Sequence, residues 1–170
     1  NSSAASDVYK RQSLYRSLVQ PAADGFCELL QTVLSGFTTM PGNEQTQQML
    51  RYSNDGFPKV VDYLYDHFDE FKLLLTSGEN SVYQEFIHRV VELDTECTAK
   101  YIEASGNDAI TSGRLTPELN HLLSSAFYTG MFEVIIHDMP KAQALEHIRK
   151  MRRFYTFLLY ASPSPRDISG

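Results

Sequence analysis

The sequence predicts an all-α fold, a multi-helix bundle of about six helices. Three observations point there. Apolar residues recur at every third or fourth position through most of the chain. The interruptions fall at Pro, Gly and Asn clusters such as Pro41-Gly42, Asn54-Asp55-Gly56 and Gly78-Glu79-Asn80. No stretch alternates apolar and polar residues as a half-buried strand would.

Taken in order, Leu14, Leu18, Ala22, Phe26, Leu30, Val33 and Phe37 form a stripe at helical spacing, which predicts a long amphipathic helix. Pro21 should kink it, because proline cannot bond to the Ser17 carbonyl. Thr38 to Asn43 reads as a turn, and a short polar helix around Glu44–Ser53 carries Met49, Leu50 and Tyr52 before Asn54-Asp55-Gly56 ends it. Pro58 suits a first helical turn, followed by Val61, Leu64, Phe68, Phe71 and Leu75 at helical spacing. Ser81 and Gln84 form a capping-box pair, opening a helix with Tyr83, Phe86, Val90, Leu93, Cys97 and Tyr101 on one face. After a loop over Gly106–Gly113, Thr116-Pro117-Glu118 supplies a capping hydroxyl, a first-turn proline and a carboxylate near the positive dipole end. That helix should run to about His137, and Pro140 opens the last.

Composition narrows the function. At 170 residues and 42% hydrophobic the chain fits one domain with a real core. Fifteen Lys+Arg against 21 Asp+Glu give a net charge of −6, which argues against wrapping nucleic acid. Cys27 and Cys97 lie too far apart in sequence for a CxxC metal site and are too few for a disulfide framework; a reducing cytoplasm fits. No apolar run approaches a membrane span.

The ends read as foreign. Ser2 to Gln12 looks like the translation of a transposon-based sequencing adapter, and Phe157-Leu158-Leu159-Tyr160-Ala161 with Ser162-Pro163-Ser164-Pro165-Arg166-Asp167 resembles the opposite strand. The expected division is therefore 1–12 adapter-like, 13–157 helical domain and 158–170 adapter-like tail. Lys10, Arg11 and Arg166 leave with the ends, as do Asp7 and Asp167, so the net charge of the middle deepens by one to −7.

The last two helices carry the informative surface. One face of the Leu119–Ile136 helix holds Leu119, Leu123, Ala126, Phe127, Gly130 and Val134; the other holds His121, Ser125, Tyr128, Phe132 and Ile136. A helix apolar on two faces is buried on both. The final helix sets Ala144, Ile148, Met151 and Tyr155 against Ala142, Glu146, Arg149 and Arg153. Two such helices from each of two chains would build a four-helix bundle around a two-fold axis. The expected homodimer interface is His121, Ser125, Tyr128, Phe132, Ile136, Ile148, Met151 and Tyr155.

Catalytic signatures are missing. Glu85-x-x-His88 puts a carboxylate and an imidazole one turn apart, but a di-iron bundle needs a second copy and two more glutamates. Asp62, Asp66, Asp69 and Glu70 beside His67 lack the alternation of a calcium loop. His121, His137 and His147 have no ligand spacing, and Ser81, Ser124 and Ser125 no nucleophile elbow. Neither a cofactor nor a metal is expected. Arg149-Lys150-x-Arg152-Arg153 is read as a basic helix end. An aromatic and methionine wall of Phe26, Tyr52, Tyr63, Tyr83, Phe86, Phe127, Met49 and Met131, with Val90, describes either a small-molecule pocket or an ordinary core.

Tyr65-Asp66-His67-Phe68-Asp69-Glu70-Phe71-Lys72-Leu73-Leu74-Leu75, Tyr83-Gln84-Glu85-Phe86 and Gly130-Met131-Phe132-Glu133-Val134-Ile135-Ile136-His137-Asp138-Met139 resemble the C-terminal region of TetR/AcrR-type bacterial transcriptional regulators. Leu14-Tyr15-Arg16-Ser17-Leu18 resembles the helix linking that region to the DNA-binding head. The resemblance implies an effector-binding and dimerisation domain whose last two helices form the dimer bundle. It further implies an unknown small-molecule effector between the helices, for which the candidate residues on the apolar stripes are Phe26, Tyr52, Tyr63, Phe86, Val90, Phe127 and Met131. Operator DNA would be bound only through an N-terminal helix-turn-helix that this chain lacks. The rival expectations are a helix-bundle metalloprotein using Glu85 and His88, and a non-regulatory helical adaptor.

Overall fold

The computed structural model describes residues 2–38, 55–78, 80–106 and 108–160. They form six helices and, among the described residues, no strand: α1 (Ser2–Thr38), α2 (55–66), α3 (Phe68–Thr76), α4 (Ser81–Ser105), α5 (Pro117–Ile136) and α6 (Lys141–Tyr160). The all-α multi-helix bundle expected from the sequence is what the chain adopts. The Pro41-Gly42 turn, the short helix around Glu44–Ser53 and the candidate Tyr52 lie outside the described residues.

Helix α1 lies along α4, α4 along α5, and α5 along α6, with α3 between α1 and α5. From Val19 onward α1 buries Val19, Ala22, Ala23, Phe26, Leu30 and Val33 at helical spacing, as its apolar stripe requires. Its start differs from expectation. The helix begins at Ser2 instead of Leu14 and runs on through Pro21, and every residue from 3 to 14 is exposed. Gly25 permits the close approach of α2: a Cβ there would collide with the Tyr63 hydroxyl, which donates to the Ala22 carbonyl at 3.2 Å.

Asp55 and Gly56, expected to end a helix, lie inside α2. At His67 the backbone leaves helical geometry (φ −117°, ψ 36°), which separates α2 from α3. Hydrogen bonds from His67 N to Tyr63 O and from Phe71 N to His67 O bridge the break, so it is a bend in a nearly continuous ladder.

The cap of α4 is Asn80, one residue before the expected Ser81. Its Oδ1 accepts from the Tyr83 amide at 3.0 Å, and its Nδ2 donates to the Tyr15 hydroxyl of α1 at 3.0 Å. Thr116 caps α5 by accepting from the Leu119 amide at 3.2 Å, with Pro117 as the first helical residue.

The α5–α6 turn is pinned from α3. Lys72 Nζ donates to the carbonyls of Ile136 (2.6 Å) and Ile135 (3.3 Å) and pairs with Asp138 at 2.9 Å. A cation thus meets the negative end of the α5 dipole. Asp138 itself takes the left-handed position (φ 51°) that ends the helix.

Candidate functional site

The aromatic wall forms a packed centre. Phe26 on α1 has its ring centroid 5.7 Å from Phe71, 5.5 Å from Phe86 and 5.6 Å from Phe132, while Phe86 and Phe132 are 5.4 Å apart. These are contact distances for aromatic pairs, so protein fills the space between these rings. Tyr63 is half-buried at its edge, 6.5 Å from Phe26. Val90 and Met131 are fully enclosed in the same core.

Phe127 lies in the same core beside Phe57 at 5.9 Å, Tyr128 at 5.1 Å and Tyr155 at 5.3 Å, and Tyr128 is in turn 6.5 Å from Phe132. Phe26, Phe86, Val90, Phe127 and Met131 thus share one core, with Tyr63 packed against it. These six candidate effector residues are core or core-edge positions, and Tyr52 is not among the described residues.

The expected interface residues divide. Tyr128 is 0% exposed, Phe132 1% and Ile148 2%, all inside this chain's own core. Met151 packs over Gly130, and Tyr155 meets Phe127. His121 is exposed; Ser125 and Ile136 are partly so. The reason is a shift in the buried arc of α5. Asn120 and Ser124 are buried against α4, which turns the open side toward Leu119, Leu122 and Ala126. Leu122 is 64% exposed, and on α6 Phe154, next to Tyr155, is 61% exposed. Leu119, Leu122 and Phe154 are thus the exposed large apolar groups of the described helix pair, while Tyr128, Phe132 and Ile148 are buried.

Between α4 and α5 runs a polar seam that the sequence reading missed. Asn120 Nδ2 donates to the Thr95 carbonyl at 3.1 Å, while its buried Oδ1 has no hydrogen-bond partner. Asp94 accepts from Ser124 Oγ at 2.5 Å and from the Tyr128 hydroxyl at 3.1 Å. Burial pushes the Asp94 carboxyl above the usual carboxylate range, against the lowering effects of its two hydrogen bonds and of Arg152. The same burial drives the Tyr128 hydroxyl well above its ordinary value. A signal was available: Asp94 sits about 40° from Val90 and about 20° from Tyr101 around the helix, on the apolar face.

A groove of about 270 Å³ lies between α1 and α4, with Cys27 and Leu93 beneath Glu28, Gln31, Glu92 and Glu96. Its cation, Arg89, is held by Asp24 at 2.6 Å. Burial raises the Cys27 thiol to about 11 and the Cys97 thiol to about 12, so both stay protonated and are poor nucleophiles at neutral pH.

The metal candidates do not converge. Glu85 and His88 both face solvent, and His88 pairs with Glu92 at 3.0 Å. Asp62 pairs with Lys141 at 2.6 Å, and His67 approaches Glu70 at 3.9 Å. Among the described residues no three His, Cys, Asp or Glu side chains gather as a metal site. In the basic stretch Lys150 pairs with Glu146, and the Arg152 guanidinium lies over the Phe57 ring, 3.5 Å from its centroid. No described helix is long and apolar enough to cross a membrane.

Neither a protein-family model, a curated protein nor a solved structure matches the chain. What function can be read rests on the residues: a closed aromatic core, a polar seam within it, and exposed apolar side chains on α5 and α6.

Proposed function

We propose that this chain is a sensing and dimerisation domain of the TetR/AcrR regulator type, with no enzymatic activity of its own. The open stripe of Leu119, Leu122 and Ala126 on α5, with Phe154 on α6, carries the reading. Large apolar side chains left exposed on a helix pair are what a subunit contact leaves when its partner is removed. Two copies pair through this stripe as a four-helix bundle, while Tyr128, Phe132 and Ile148 support it from inside. Resemblance alone supplies the rest: a small effector, a cytoplasmic location, and operator DNA contacted through the DNA-binding head of that regulator type. An effector entering at Phe26 and Phe86 has to part rings already in contact, so sensing there is coupled to movement of α1 against α4.

Leu122→Asp tests the pairing. Sedimentation of the wild type should give twice the chain mass, and the variant a single chain, since Leu122 is exposed and the substitution leaves the core alone. A monomeric wild type would remove the dimer reading and favour an adaptor whose stripe docks on a different protein.

A further inference from the structure

The groove between α1 and α4 is a slot with an apolar floor and a charged rim. Cys27 of α1, 2% exposed, and partly buried Leu93 of α4 form the floor. Glu28 stands exposed on the α1 side, and Glu92 and Glu96 on the α4 side. The cation of the lining, Arg89, is held by Asp24 at 2.6 Å, so the three glutamates set the sign of the slot. Glu92 also meets His88 at 3.0 Å and Glu96 meets Lys100 at 3.9 Å, but these are exposed pairs that water weakens and a ligand can displace.

Three features restrict what fits. The volume of about 270 Å³ lies below the roughly 300–1,000 Å³ of sites for drug-sized molecules, so the occupant is slender. The floor favours methylene groups over polar ones. The rim favours positive charge on both sides, and Glu92 and Glu96 are one helical turn apart, a rise of about 6 Å. Two ammonium groups joined by a short methylene chain have that spacing and that mixture of charge and apolar surface.

We propose that the α1–α4 groove binds a linear aliphatic diamine or polyamine, with its ammonium groups on Glu28, Glu92 and Glu96 and its methylenes over Cys27 and Leu93. Such a ligand ties α1 to α4. Binding stands on the groove alone; that this ligand is the sensed effector rests on the regulator reading.

An amide NMR titration of the full chain with putrescine, a four-carbon diamine, tests the site. The shifts should saturate with a dissociation constant on the order of 1 mM, gather along the facing stretches of α1 and α4, and weaken as salt is added. Glu28→Gln and Glu96→Gln should each weaken binding by about two- to fivefold. Glu85→Gln, on α4 but outside the lining, should leave it unchanged. All three positions are exposed, so the core is left alone. The corresponding diol keeps the methylenes without the charge, and Mg²⁺ keeps the charge without the methylenes; neither should reproduce the shifts. Shifts that never saturate, that respond equally to Glu85→Gln, or that the diol or Mg²⁺ reproduces overturn the proposal. The titration does not depend on the pairing of two chains, so its failure in a dimeric protein leaves the regulator reading standing.

Discussion

Phe26 meets four rings at once, Tyr63, Phe71, Phe86 and Phe132, and is itself fully buried. No neighbour can close the space that its loss would open without abandoning another ring contact. Phe26→Ala should therefore cost about 3–5 kcal/mol of unfolding free energy, measured by urea denaturation. Asn120 and Ser124 teach the opposite lesson. The apolar spacing of α5 gives neither a place in the core and assigns Tyr128 and Phe132 to a second face. The fold buries both polar side chains against α4 instead, because Thr95 and Asp94 give them partners there. Periodicity alone cannot reveal polar groups whose partners lie on a neighbouring helix.

Helix ends were the most legible elements. Thr116-Pro117-Glu118 opens α5 as expected, since a capping hydroxyl followed by a first-turn proline has few other uses. The α4 start shifts by one residue because Asn80 and Ser81 are both good caps, and the contact with Tyr15 favours Asn80. The α2–α3 bend was not legible, since Val61, Leu64 and Phe71 keep their helical spacing across it. At the other end of α5, Lys72 reaches from α3 to the last carbonyls and to Asp138. Lys72→Met keeps the stem's packing and removes the charge. It should cost about 1–2 kcal/mol in denaturant unfolding, with faster hydrogen exchange confined to the end of α5 and the following turn.

For the whole molecule, stability resides between α1 from Val19 onward and the first half of α6. The earlier turns of α1 are exposed from residue 3 to 14 and add no core contact. Deleting residues 1–12 should change the unfolding free energy by no more than about 0.5 kcal/mol, while circular dichroism loses the helical signal of those turns. The bundle was readable at this scale because amphipathic spacing records which faces are apolar. Which open face remains after the six helices have packed was not, because that depends on the arc each neighbour covers. Leu122 came to notice only through its exposure.

The Asn80 side chain has a mechanical consequence. Its oxygen keeps the first turn of α4 wound while its nitrogen grips Tyr15 on α1. Beyond Tyr15, α1 extends as a lever about 20 Å long, with that tyrosine as fulcrum. A sideways load on the lever's tip reaches the start of α4 through Tyr15 and through the Arg16 guanidinium, which donates to Ser81 Oγ at 3.5 Å, so tilting α1 strains the cap of α4.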